Sequence, residues 1–69
     1  MGDPRLGSRL KEARTAAGLT QAALADKASV SRKTINTVEN GVFVPSTVLA
    51  LELARALDTT VEALFFLRD

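Results

Sequence analysis

Residues 20–41 read TQAALADKASVSRKTINTVENG, and this stretch decides the fold of the chain. Small and apolar side chains recur through its first half, at positions 22, 24, 25, 28 and 30. Ile35 and Val38 follow with the i, i+3 spacing of a buried helix side, in a helix that starts near Ser31. The pattern therefore predicts two short helices joined by a tight turn.

The second of these helices carries a polar face between its buried positions. Five side chains recur with helical spacing and share one side of the helix: Arg32, Lys33, Asn36, Thr37 and Asn40. Cations attract phosphate, whereas amides and hydroxyls can read base edges in the major groove of DNA. We therefore expect this face to bind double-stranded DNA, with the base-reading residues Arg32, Lys33, Asn36 and Thr37.

A β-hairpin is the competing interpretation of residues Ser31 to Val44. β-forming residues are frequent in this segment, and Asn40-Gly41 is a strong hairpin-turn signal. In a strand, however, Ile35 and Val38 would point to opposite faces. Helical spacing keeps these two residues on one side, so the pattern favours a helix that ends at Asn40-Gly41.

The stretch resembles the helix-turn-helix of phage repressor and Cro proteins, a group often called Xre-like regulators. The resemblance extends from Leu6 to Phe66 and includes RLKEAR at 9–14, the Thr-Gln opening, the Glu-Asn-Gly ending and a Pro-Ser helix start at 45–46. It implies an all-α fold, a compact five-helix repressor-like domain. It also implies a sequence-specific DNA-binding transcriptional regulator, most simply a repressor on a pseudo-palindromic operator.

Two further expectations come from this resemblance. Arg14 in the first helix and Glu39 at the end of the reading helix would form an intramolecular ion pair, and a DNA contact by Arg14 is the alternative. If exposed, such a pair would contribute only a few tenths of a kcal/mol. Ser29 stands where the family usually has a turn glycine, and a positive φ there would cost roughly 1 kcal/mol.

Phosphate contacts are expected from residues at the ends of the two helices. Gln21 follows the capping residue Thr20 at a helix N-terminus, where backbone N–H groups and the helix dipole favour an anion. A solvent-facing first-turn residue is the alternative for Gln21. Ser31 and Asn40, at the two ends of the reading helix, complete the expected phosphate set.

Charge is distributed unevenly along a chain whose net charge is only +1. Residues 1–40 hold seven Arg and Lys against four Asp and Glu, whereas residues 41–69 hold two against four. The basic half contains the predicted reading helix, as expected for a nucleic-acid-binding domain.

Composition argues against catalysis and against bound cofactors. The 69 residues contain neither Cys nor His, their eight acidic residues are scattered singly, and they lack a glycine-rich phosphate loop. We therefore expect no enzyme activity, no cofactor, no metal and no small-molecule ligand. The absence of a long apolar run indicates no membrane partner and a cytoplasmic location.

We expect one domain over residues 1–69, with the helix-turn-helix motif at 20–41. Its helices are predicted at about 5–17, 21–28, 32–40, 47–57 and 61–66. The fourth helix is apolar on nearly every side, and the chain ends in large apolar residues. The segment 61–69 is therefore a candidate dimerisation segment of a homodimer, with the interface residues Leu49, Leu51, Phe66 and Leu67. A frayed C-terminus with Phe66 resting on its own core is the alternative.

A second class of function is left open by the same pattern. The fold could serve as a helical protein-interaction adaptor or an antitoxin-type partner, since fold does not fix function. An apolar or acidic face in place of Arg32, Lys33, Asn36 and Thr37 would be typical of an adaptor, so these residues favour DNA.

Overall fold

The computed structural model of the chain describes residues 2–68, so Met1 and Asp69, the ends of the predicted domain, lie outside the described residues. Within that range the chain forms five helices and two short strands. They follow in the order β1 (Leu6–Ser8), α1 (Leu10–Ala16), α2 (Gln21–Ala28), α3 (Arg32–Glu39), α4 (Thr47–Ala56), α5 (Val61–Leu64) and β2 (Phe65–Leu67). The five predicted helices are confirmed, and the β-hairpin interpretation is wrong because α3 is helical.

Helices α2 to α5 all begin at a hydroxyl residue that caps the first turn. In each case the side-chain oxygen accepts a hydrogen bond of 3.0 to 3.2 Å from the backbone N–H three residues later: Thr20, Ser31, Ser46 and Thr60. Such a cap satisfies one of the N–H groups that a helix start leaves without a partner, and it contributes about 1 kcal/mol. Local sequence therefore sets where these helices begin.

Two short strands replace the outer ends of two predicted helices. The helix expected over 5–17 begins at Leu10, and the helix expected over 61–66 ends at Leu64. The residues beyond these ends form β1 and β2, which pair in an antiparallel ladder. This pairing joins the two ends of the chain, so it depends on tertiary contacts that local periodicity does not reveal.

Gly7 makes this strand pairing compatible with an aromatic side chain. It lies opposite Phe66, whose ring covers it so closely that a Cβ atom at position 7 would overlap the ring. The Arg9 guanidinium lies 4.1 Å from the centroid of the same ring, within the range of a cation–π contact. Phe66 is therefore half-buried by residues from the other end of its own chain.

The core lies between α2, α3 and α4, with α2 packed on both of the others. Its buried hydrophobic residues are Leu10, Leu24, Ala25, Ala28, Ile35, Val38, Ala50, Leu53, Ala54, Leu64 and Phe65. No helix within residues 2–68 has the length and apolar character needed to cross a membrane.

Ser29 ends α2 in the left-handed conformation, with φ 58° and ψ 42°. We expect Ser29→Gly to raise the free energy of unfolding by about 1 kcal/mol, because glycine adopts this conformation without a Cβ penalty. Urea unfolding followed by circular dichroism measures the change. The control is Asp58→Gly, since Asp58 also has a left-handed φ, of 54°, but aspartate tolerates this region better and should gain less. An unchanged or lowered midpoint for Ser29→Gly would count against strain at this turn.

Candidate nucleic-acid interface

The turn between α2 and α3 sets the direction of α3. After Ser29 the chain folds back on α2, where Val30 N donates to Ala25 O at 3.0 Å. The side chain of Ala25 is buried and small, so it allows close packing between the two helices. Because Ile35 and Val38 form the buried side of α3, the opposite side of that helix faces solvent.

The outer side of α3 carries exposed polar residues, namely Arg32, Lys33, Asn36 and Asn40. Thr37 is half-buried at the edge of this face, and its hydroxyl donates to the Thr34 carbonyl at 3.0 Å. Within residues 2–68, neither Arg32 nor Lys33 takes part in an ion pair. Their positive charges therefore remain available to an anionic partner.

The size of α3 is compatible with the DNA major groove. Arg32 begins α3 and Asn40 is its C-cap, so the helical rise separates them by roughly 12 Å along the axis. The major groove of B-form DNA is about 12 Å wide and admits an α-helix, whose diameter with side chains is about 10 to 12 Å.

The three expected phosphate contacts lie at opposite ends of α3. Ser31 is at the N-terminal end, where its hydroxyl caps the helix. Asn40 is at the C-terminal end, and its Nδ2 donates to Asn36 O at 2.9 Å. Gln21 lies near the same end, because its Nε2 donates to Glu39 Oε1 at 3.0 Å. The structure thus groups Gln21 with Asn40 and places Ser31 apart from both.

A buried ion pair holds α1 against the end of α3. Arg14 Nε donates to Glu39 Oε2 at 2.5 Å, and Arg14 Nη1 donates to the Leu19 carbonyl at 2.9 Å. The two charged side chains are only 10% and 2% exposed, so the value expected for an exposed pair does not apply, and removing one partner would leave the other charge buried without compensation. Hydrogen bonding to Glu39 raises the pKa of Arg14, against the opposing effect of burial. Gln21 completes the network and links it to the first turn of α2.

Comparison with known proteins identifies the family. Residues 5–65 match the family profile described as "Helix-turn-helix domain". The chain belongs to this family. The uncharacterised HTH-type transcriptional regulator YgzD of Bacillus subtilis (strain 168) is 34% identical over 62 residues, which cover 90% of this chain and 94% of YgzD. An uncharacterised HTH-type transcriptional regulator of Methanothermobacter thermautotrophicus is 42% identical over 61 residues, covering 87% of this chain and 88% of the relative.

A solved structure shares the fold of this helix-turn-helix protein. The restriction-modification controller protein C.AhdI from Aeromonas hydrophila superposes with a TM-score of 0.76 at 42% sequence identity. The match covers 78% of this chain and 82% of C.AhdI. The resemblance to helix-turn-helix regulators and the predicted fold are therefore confirmed.

The expected dimer residues of this helix-turn-helix protein divide into two exposed and two half-buried side chains. Leu51 and Leu67 are 56% and 69% exposed. Leu49 packs partly against the core, and the Phe66 ring rests on Gly7. The two exposed leucines therefore have the larger apolar surface free for a partner.

Leu6 links these two leucines on the surface. It is the cross-strand partner of Leu67, so the two side chains lie on the same side of the ladder. Leu6 and Leu51 also line one open apolar groove, together with Val44, Pro45, Thr47, Ala50, Val61 and Phe65. We call Leu6, Leu51 and Leu67 the apolar strip.

An exposed apolar loop after α3 has no role in the sequence-based hypothesis. Val42, Phe43 and Val44 follow Gly41 directly, and all three are exposed. Val42 and Phe43, which we call the apolar shelf, line a recess beside α3 whose other residues are Lys33, Thr34 and Thr37. Three consecutive apolar residues after a helix-ending glycine were the available signal, but the sequence-based hypothesis treats them as a connection between two helices and assigns them no function.

Proposed function

We propose that this helix-turn-helix protein is a cytoplasmic transcriptional repressor that reads a specific DNA sequence and acts by occupying its operator. The observation that carries the proposal is the exposed face of α3, where two cations without ion-pair partners among residues 2–68 lie beside an amide. By hydrogen-bonding geometry, Arg32 suits a guanine and Asn36 an adenine. The names of the curated relatives, all HTH-type transcriptional regulators, support the same role.

Gln21 and Asn40 can contact phosphate without giving up their internal hydrogen bonds. A primary amide has two N–H groups, and each of these side chains uses one of them within the protein. The second N–H of each is then left for a phosphate oxygen. Because the internal bonds restrict both amides, little side-chain entropy would be lost when DNA binds.

A homodimer built around the apolar strip fits this role. Fully burying a leucine side chain is worth about 1.5 to 3 kcal/mol, and Leu51 and Leu67 each retain more than half of their surface for such burial. Leu49 and Phe66 would contribute less, since their own chain already covers part of them. A twofold axis would place two copies of α3 in successive major grooves about 34 Å apart. The expected operator is therefore a pseudo-palindrome with half-site centres about 10 base pairs apart.

Sedimentation tests the homodimer. We expect the wild type to sediment as a dimer and the double variant Leu51→Asp, Leu67→Asp as a monomer, because the dimer would have to bury two carboxylates per chain. Ala16→Asp, at an exposed position of α1, is the control and should remain dimeric. A wild type that stays monomeric at high micromolar concentration, with and without DNA, would exclude the proposed assembly.

Selection of bound duplexes from randomised DNA tests the function itself. We expect enrichment of one sequence with twofold symmetry. Recovered sequences that do not differ from the starting pool would refute sequence reading and favour an adaptor or antitoxin-type partner on the same fold. An enriched sequence without symmetry would support sequence-specific DNA binding but contradict the proposed homodimer.

A further inference from the structure

The apolar shelf stands directly beside the proposed base-reading face. Val42 and Phe43 are 58% and 43% exposed. They share their recess with Lys33 and Thr37, two of the expected base readers. A partner that covers Lys33 and Thr37 therefore lies next to two apolar side chains.

Backbone hydrogen bonds hold the shelf in place. Val42 N and Phe43 N both donate to the Thr37 carbonyl, at 3.0 and 3.3 Å. Gly41, with φ 72°, turns the chain out of the helix just before them. The shelf is thus fixed relative to Thr37, although its side chains are not buried in the core. When a partner covers apolar side chains that are fixed in an exposed position, the free energy of the complex is lowered, because apolar surface is removed from water.

The chemistry of the recess points to apolar contact rather than to hydrogen bonding. The Thr37 hydroxyl already donates to the Thr34 carbonyl. Lys33 also lines the recess and is free of ion pairs within the described part of the chain, so its positive charge attracts the negatively charged DNA. In the major groove, the apolar group that base edges present is the C5 methyl of thymine.

We propose, on the basis of the DNA-binding function above, that Val42 and Phe43 contact a thymine methyl group in each half-site. The shelf would then select thymine at one position, in addition to the hydrogen bonds from α3. DNA is the occupant favoured here because the recess is continuous with the base-reading face through Lys33 and Thr37.

The test replaces each thymine of a selected duplex in turn with deoxyuridine, which lacks only the methyl group. Burial of one methyl group is worth roughly fourfold in affinity, so we expect about fourfold weaker binding at one thymine of each half-site. The double variant Val42→Ala, Phe43→Ala should bind the thymine and uracil duplexes equally at that position. Val44→Ala is the matched control. It is 41% exposed in the same loop but lines the groove next to Leu51, so it should keep the methyl preference.

The outcomes separate this inference from the proposed function. Wild-type binding in which no thymine is sensitive to methyl loss would overturn the contact and leave DNA binding intact. Methyl sensitivity that persists in the double variant would also overturn the thymine contact. Loss of dimerisation in that variant would show instead that the apolar shelf binds a second copy of the chain. If the wild type bound no duplex, both the proposed function and the contact with a thymine methyl group would be refuted.

Discussion

Replacing Arg14 with methionine is expected to lower the free energy of unfolding by about 3 to 5 kcal/mol. The Glu39 side chain is only 2% exposed, and in the variant its carboxylate would have lost its cation. Among residues 2–68, the Gln21 amide would then be the only side chain that donates a hydrogen bond to it. A domain of this size has a total stability of only about 4 to 10 kcal/mol, so much of the population could unfold. Urea unfolding at neutral pH measures the loss.

The chain supplies a matched control for this prediction. Arg55 pairs with Glu52 at 2.6 Å, a distance close to that of the buried pair, but Arg55 is exposed. Arg55→Met should therefore cost less than about 1 kcal/mol. Replacing both Arg14 and Glu39 with methionine should recover part of the stability, because no unpaired charge remains buried. Equal losses for Arg14→Met and Arg55→Met would show that burial does not strengthen the first pair.

The second large effect is expected on base preference rather than on stability. Asn36→Ala or Arg32→Ala should each remove about 1 to 3 kcal/mol of discrimination at one position of the half-site. Both side chains are exposed, so the fold should be unaffected. Affinities for duplexes that vary one base at a time measure the loss.

Asn40→Ala provides the contrast for these variants. A phosphate contact carries no direct sequence information, so its loss should weaken binding to all duplexes alike. Arg55→Ala, on α4, should change neither affinity nor preference. If Asn36→Ala and Arg32→Ala kept the full preference of the wild type, these residues would not be the base readers.

The helix-turn-helix could be predicted from sequence because its determinants are local. Ser31 caps the first turn of α3, and Ile35 and Val38 lie one turn apart on its buried side. Gly18 and Gly41 take positive φ where α1 and α3 end. Each of these features acts within a few residues, so the pattern alone reveals them.

The features that the sequence analysis missed depend on which distant residues come together. Phe66 was expected in the last helix and in a dimer interface, with packing on its own core as the alternative, but its contact with Gly7 at the other end of the chain was not predicted. Likewise, the resemblance suggested the Arg14–Glu39 pair, but the degree of burial depends on the packing of α1 and α2 around it. Sequence spacing alone does not contain such information.

Backbone amide chemical shifts, recorded while the protein is titrated with its selected duplex, test most directly which face binds DNA. We expect the largest changes from Ser31 to Asn40 and at Gln21, with small changes at exposed α4 residues such as Arg55. Changes concentrated on α4 with an unperturbed α3 would contradict DNA binding through α3, as would a spectrum that the duplex leaves unchanged throughout.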